Sequence, residues 1–140
     1  MAVKPIEQHI RRDEDLLGSS LLLRGSPLTL DQIEHDAART ARAFTFAGTP
    51  CRGISAELAA DGDDVDHLLR EGRVRTRSFV ACISVSDTLA GGFLVLPTFS
   101  APHQTIVAER APEASLERLL ELALRDVVQN PYHRAWKEER

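Results

Sequence analysis

The chain has 140 residues, 43% hydrophobic and 27% charged, with a net charge of −4, enough for one core without disulfides or metal and typical of a globular protein. That acidic balance argues against a surface that tracks nucleic acid along its whole length, and no run reaches the ~18 apolar residues needed to span a bilayer. The first twenty residues, MAVKPIEQHIRRDEDLLGSS, carry charges where a secretion signal needs an apolar segment, so the expected location is the cytoplasm.

In chain order, residues 1–20 are polar and read as a flexible N-terminal arm. Leu21-Leu22-Leu23 then leads into Arg24-Gly25-Ser26-Pro27, a first strand or docking segment whose Ser-Pro step favours extended or turn geometry. Thr29 and Gln32 form a T-x-x-Q capping box, in which each side chain satisfies a backbone donor of the first turn. Leu30, Ile33, Ala37, Ala41 and Phe44 follow at steps of three and four, one apolar helical stripe ended by Gly48-Thr49-Pro50.

CRGISAEL, residues 51–58, predicts a short strand weakened by Gly53. Asp63 is placed to cap a second helix running to Glu71, with Val65, Leu68 and Leu69 buried and Gly72 as its stop. Residues 74–85, VRTRSFVACISV, are rich in β-branched and aromatic types and predict a central strand. A short capped helix over 86–90 closes at Gly91-Gly92. Strands over 93–96 and 103–109, joined around Pro97 and Pro102, predict an antiparallel hairpin. A last helix starts at Pro112 or Ser115 and runs to Val128, with Asn130-Pro131 as its stop and residues 132–140 as a charged tail. The expected fold is a single α+β domain over 21–131, a mixed four- to five-stranded sheet with a C-terminal hairpin, covered by three main helices.

The cysteines, Cys51 and Cys82, lack metal-ligand spacing and read as small buried apolar residues. No metal site and no cofactor is implied. Two constellations carry chemistry. On a strand His103 and Thr105 point to one face. The histidine can exchange a proton near neutrality, and the threonine hydroxyl can bind a phosphate oxygen. Arg73, Arg75 and Arg77, if already in strand geometry, form a guanidinium ladder spaced about 6.5–7 Å apart. Arginine forks at that spacing suit successive phosphates, and Arg24 is a further phosphate-binding candidate. The bland alternatives are a strand-end histidine bonded near a turn and an edge-strand charge ladder.

His103-Gln104-Thr105 resembles one half of the two-histidine phosphoesterase motif, but His9, His35, His67 and His133 lack a Thr or Ser two residues later. Arg24, Ser84-Val85-Ser86 and Glu109 stand in the chain order of an ADP-ribosyltransferase. That resemblance implies an NAD-phosphate contact, a serine scaffold and a catalytic acid. This chain departs from the pattern with Val85 inside the serine pair and Val107 two residues before Glu109. LLLRGSP, GGFLVLPTFSAPH and the late Asn130-Pro131 together resemble a group of small proteins from GC-rich bacteria, a likeness that implies a fold-sized unit and carries over no activity.

The acidic charge, incomplete catalytic sets and charged ends point to a small interaction module that works with a protein partner or as a homo-oligomer, for example one component of a toxin–antitoxin-like two-gene system. The alternative is a small enzyme or binder acting on RNA or nucleotides. It would use His103 as acid–base, Thr105 as oxygen ligand and Arg75 or Arg77 as phosphate clamps, and it requires these side chains to meet in one pocket.

Overall fold

Each of the four α-helices among the described residues starts on a side chain that accepts from its own first turn. Thr29 takes Gln32 N–H at 3.2 Å, Asp61 takes Asp64 N–H at 2.9 Å, and Ser84 and Ser115 take Asp87 and Arg118 N–H at 3.1 Å each. Such a cap stabilises a helix by about 1 kcal/mol. The helices are Leu30–Ala43 (α1), Gly62–Glu71 (α2), Val85–Ala90 (α3) and Leu116–Leu124 (α4). Gln32 does not return the favour at Thr29; its amide goes to Asp36 Oδ1 at 3.0 Å, so the capping box is half formed. The second helix is capped by Asp61, two residues before the expected Asp63.

The strands are Lys4–Pro5 (β1), Leu21–Gly25 (β2), Phe44–Phe46 (β3), Thr49–Pro50 (β4), Gly53–Ala59 (β5), Phe79–Ser84 (β6), Leu94–Leu96 (β7), His103–Val107 (β8) and Val127–Gln129 (β9). The computed structural model describes residues 3–11 and 18–133 of the chain. Six of the strands form one sheet in the order β7-β8-β5-β2-β6-β9. Every pairing in it is antiparallel, so the mixed four- to five-stranded sheet expected from sequence is corrected to a six-stranded antiparallel one. A separate three-stranded sheet, β1-β3-β4, holds the one parallel pair among the described residues, β1 with β3.

Alternation along the strands sorts the core into two layers. Leu22, Ile54, Ile83, Val95 and Ile106 face Ile33 and Ala37 of α1 and Leu116, Leu119 and Leu122 of α4. Burying each of the Leu, Ile and Val side chains contributes about 1.5–3 kcal/mol before chain entropy is counted. On the other face Leu23, Ala59, Val80 and Cys82 meet Leu68 and Leu69 of α2 and Val74. Farther along that face Ile6, Cys51 and Val107 sit beneath Phe44 and Phe46 of the small sheet.

The expected N-terminal arm is corrected over residues 3–11: Ile6 is 1% exposed, and Ile10 bridges to Thr98. Residues 12–17, with most of the RRDED cluster, and 134–140, with Trp136, lie outside the described residues. At the start of the expected charged tail, the Tyr132 hydroxyl donates to Asp66 at 2.7 Å.

One detail of register shapes the site. β2 pairs with β5 over Leu21–Leu23 only. Beyond that, β2 continues on β6 as far as Gly25 opposite Val80, while β5 continues on β8 as far as Gly53 opposite Val107. The two strands therefore part company, and the sheet splits into halves with an opening between them.

Candidate functional site

The opening is a cavity of about 420 Å³, within the size range of small-molecule sites. β2 and its exit supply Arg24, Gly25 and Ser26 to its wall, and β5 and β8 supply Ser55, Glu57 and His103. α1 contributes Asp36, Arg39 and Thr40, and the segment after α2 contributes Arg73 and Arg77. Four guanidinium groups thus surround one space with two carboxylates, inside a protein that is acidic overall.

The two carboxylates are already engaged. Asp36 forms an ion pair with Arg24 Nη2. Arg24 is 9% exposed, reaches the Ser55 carbonyl with Nη1 at 3.5 Å, and leaves its buried Nε without a partner. Leu58 N–H bonds toward Pro102 on the β8 side, so by ladder alternation the carbonyl of Ser55 points toward β2 and into the gap. Arg24 is therefore a wall of the cleft whose charge Asp36 balances, not the open phosphate ligand expected from sequence.

Glu57 is 6% exposed and accepts from Arg73 N–H at 2.9 Å and Val74 N–H at 3.4 Å. Burial pushes its carboxyl up from the ordinary value, an effect opposed by those two donors and by the Arg73 and Arg75 charges. Sequence reading passed over Glu57. Its one signal was a glutamate at an inward position of a strand, between Ala56 and Leu58.

The arginine ladder is also corrected. Arg73–Thr76 is a turn of 3-10 helix, not the start of a strand, because Glu57 and Gly72 fasten its first residues and pairing with β2 starts only near Val80. The turn separates the three arginines. All three are exposed, but Arg73 and Arg77 line the cleft, whereas Arg75 lies outside its lining and donates to Gly72 O at 2.9 Å. Arg77 lies flat over Gly25, where an added Cβ would overlap its Cγ and come within 2.9 Å of its Cβ. Among the described residues, no carboxylate pairs with Arg39, Arg73 or Arg77.

His103 stands directly across the ladder from Glu57 and is 7% exposed. Its Nδ1 lies 3.0 Å from Thr98 Oγ1 and 3.2 Å from the Thr98 carbonyl. A carbonyl can only accept, so a proton on Nδ1 satisfies both contacts. Thr98 Oγ1 then passes its own hydrogen to Thr105 Oγ1, 2.6 Å away. This arrangement puts the imidazole lone pair on Nε2, which has no hydrogen-bond partner among the described residues. Burial and the nearby Arg73 and Arg11 charges lower the His103 pKa, against the opposing effect of the Thr98 carbonyl. The ring is accordingly neutral at pH 7.

Thr105, expected as an oxygen ligand, is 3% exposed and spends its hydroxyl on Thr98, so it supports His103 from behind. The ADP-ribosyltransferase-like set does not assemble. Ser84 caps α3, and Glu109 is exposed and pairs with Arg52 at 3.2 Å, while Arg24 lines the cleft with Asp36. Cys51 and Cys82 are buried free thiols, each pushed up to about 11 mainly by burial.

Among the described residues, no group of three or more His, Cys, Asp or Glu could hold a metal ion, and no helix is long and apolar enough to cross a membrane. No protein-family model, curated protein or solved structure matches the chain.

Proposed function

We propose that the protein binds a phosphate-bearing small ligand in the cleft between β2 and β5, with Arg39, Arg73 and Arg77 as its cationic arms. The observation that carries this reading is the meeting around one cavity of a buried histidine and three guanidinium groups that have no carboxylate partner among the described residues. Arginine forks bind phosphate oxygens bidentately, and a partly enclosed wall strengthens each charge-assisted bond. If the ligand is also a substrate, His103 is the acid–base group it meets, through Nε2.

Calorimetric titration with inorganic pyrophosphate tests this reading. The wild type should bind, more weakly as salt is raised, and Arg73→Ala and Arg77→Ala should each weaken binding about 10-fold or more, as loss of a charge-assisted hydrogen bond implies. Absence of binding, or binding indifferent to both substitutions, would sink it.

The reading as a module for a protein partner, including a toxin–antitoxin-like pair or a homo-oligomer, draws support from a different region. Phe79, Leu124 and Val127 are 48%, 53% and 37% exposed around the edge strand β9. Sedimentation across a concentration series tests the self-association branch: a monomer at every concentration would remove it.

A further inference from the structure

A second cavity, of about 190 Å³, adjoins the cleft and shares Arg39, Thr40 and Ser55 with it. Its other walls come from the apolar Ile6, Ala43, Phe44 and Phe99 and from Thr105. The aromatic rings form a group: Phe44 and Phe99 have centroids 5.7 Å apart, and His9 lies 5.6 Å from Phe44 and 4.9 Å from Phe99. Phe99 also sets its edge against His103 at 5.2 Å, which links this group to the cationic cleft.

Phe99 is held in an unusual way. Its φ is +58°, a left-handed conformation in which a bulky side chain is an outlier. Neighbouring contacts must maintain it. Phe99 N–H donates to His9 O at 2.9 Å, and Arg11 Nη1 donates to Phe99 O at 3.1 Å. The outcome is that Phe99 stays 40% exposed although aromatic neighbours are close by. A strained backbone that leaves Phe99 partly exposed on the wall of the second cavity suits a stacking shelf.

We infer that the cleft takes a free nucleoside phosphate, its base on the Phe99 shelf and its phosphate among Arg39, Arg73 and Arg77. This rests on the anion-binding reading and adds the class of ligand. Every nucleobase has a π-face that stacks on such a ring, and Arg39, on the wall of both cavities, joins the two subsites. A mononucleotide fits the layout better than a polymer. The cations are gathered at one cavity, Arg75 of the former ladder is turned away, and the chain carries a net charge of −4.

The test is a calorimetric titration of the full chain with AMP, ADP, ribose 5-phosphate, pyrophosphate and a short single-stranded RNA. AMP should bind about 10-fold more tightly than ribose 5-phosphate, the scale of one stacked base. Phe99→Ala should erase that difference and leave pyrophosphate affinity unchanged, which also shows that the variant is folded. Equal affinity for AMP and ribose 5-phosphate, with pyrophosphate still bound, would overturn the nucleoside inference and leave anion binding standing. RNA binding without mononucleotide binding would overturn it too, as would a Phe99→Ala variant that loses AMP and pyrophosphate equally. Binding of none of the phosphates would overturn both readings.

Discussion

Replacing Glu57 separates its two roles, as an acceptor and as a buried charge. Its Oε1 holds the amides of Arg73 and Val74, at 2.9 and 3.4 Å, and so fixes the turn that aims Arg73 and Arg77 into the cleft. Hydrogen bonds to a charged group contribute roughly 1.5–3 kcal/mol each, and the longer one falls at or below the lower end. Glu57→Ala removes both bonds and orphans two amides in the second core layer, a loss of about 2–4 kcal/mol by that count. Glu57→Gln keeps a carbonyl acceptor in the same place and discards the charge that burial disfavours. Its cost should be below about 1 kcal/mol near neutral pH, with a gain within reach.

The pH dependence has a definite sign. The folded-state pKa is raised above the ordinary 4.5, so the folded chain binds the proton where the unfolded chain has already released it. The wild type's stability relative to Gln is therefore greatest below 4.5 and is lost as pH rises through the folded value. Urea midpoints at constant m, measured for the three proteins from pH 4 to 8, check this. If Gln is as damaging as Ala at every pH, Glu57 does not act as an acceptor for the turn, and the argument for how Arg73 is placed fails. A second readout follows from charge: removing a carboxylate from the cleft should tighten pyrophosphate binding, whereas Glu57→Ala should weaken it by releasing the turn.

Three further outcomes are expected. His103 is held neutral, with a folded pKa below 6.5, so its contribution to stability is present above pH 6.5 and is lost as pH falls through the folded value; His103→Gln should flatten that part of the urea-midpoint profile. Gly25→Ala should displace Arg77 and lower pyrophosphate affinity about as much as Arg77→Ala does, and it should also lower the melting temperature, because the added Cβ meets the base of that side chain, 2.9 Å from its Cβ, rather than its flexible end. Asn130 is 4% exposed and donates to Leu69 O and Val74 O at 3.0 and 3.2 Å, so Asn130→Ala should destabilise by about 1–3 kcal/mol in urea unfolding, the cost of leaving buried acceptors unpaired.

What the sequence disclosed follows the range of the physics involved. Helix starts are local, and Thr29, Ser115 and the apolar stripe through Ile33 and Ala37 were readable because capping and a 3.6-residue period act within a few positions. The three-residue strands Phe44–Phe46 and Val127–Gln129 were not, since each abuts a helix and its apolar residues also fit the helical stripe. The same ambiguity extended α4 on paper to Val128, when it ends at Leu124. His103, Arg73, Arg77 and Arg24 were all named from sequence and do border one cavity, yet on different grounds. Arg73 and Arg77 were expected to share a strand face and instead come from either end of a 3-10 turn, set there by Glu57 across the sheet. Arg39, Glu57, Asp36 and Phe99 went unnoticed because nothing in their neighbours along the chain marks them; only long-range pairing brings them to the opening.

The early parting of β2 and β5 makes the sheet two three-stranded leaves that meet along a short seam at Leu21–Leu23. α1 acts as a splint across them, tied to one leaf by the Asp36–Arg24 pair and set against the other where Thr40 lies close to Gly53. A molecule lodged in the gap would touch Gly25 and Arg77 on one leaf and Ser55 and His103 on the other. It would fill the place where the seam is missing, so the backbone amides of Gly25 and Ser55 are natural reporters of occupancy. Their hydrogen exchange should slow on binding together, although they belong to opposite leaves.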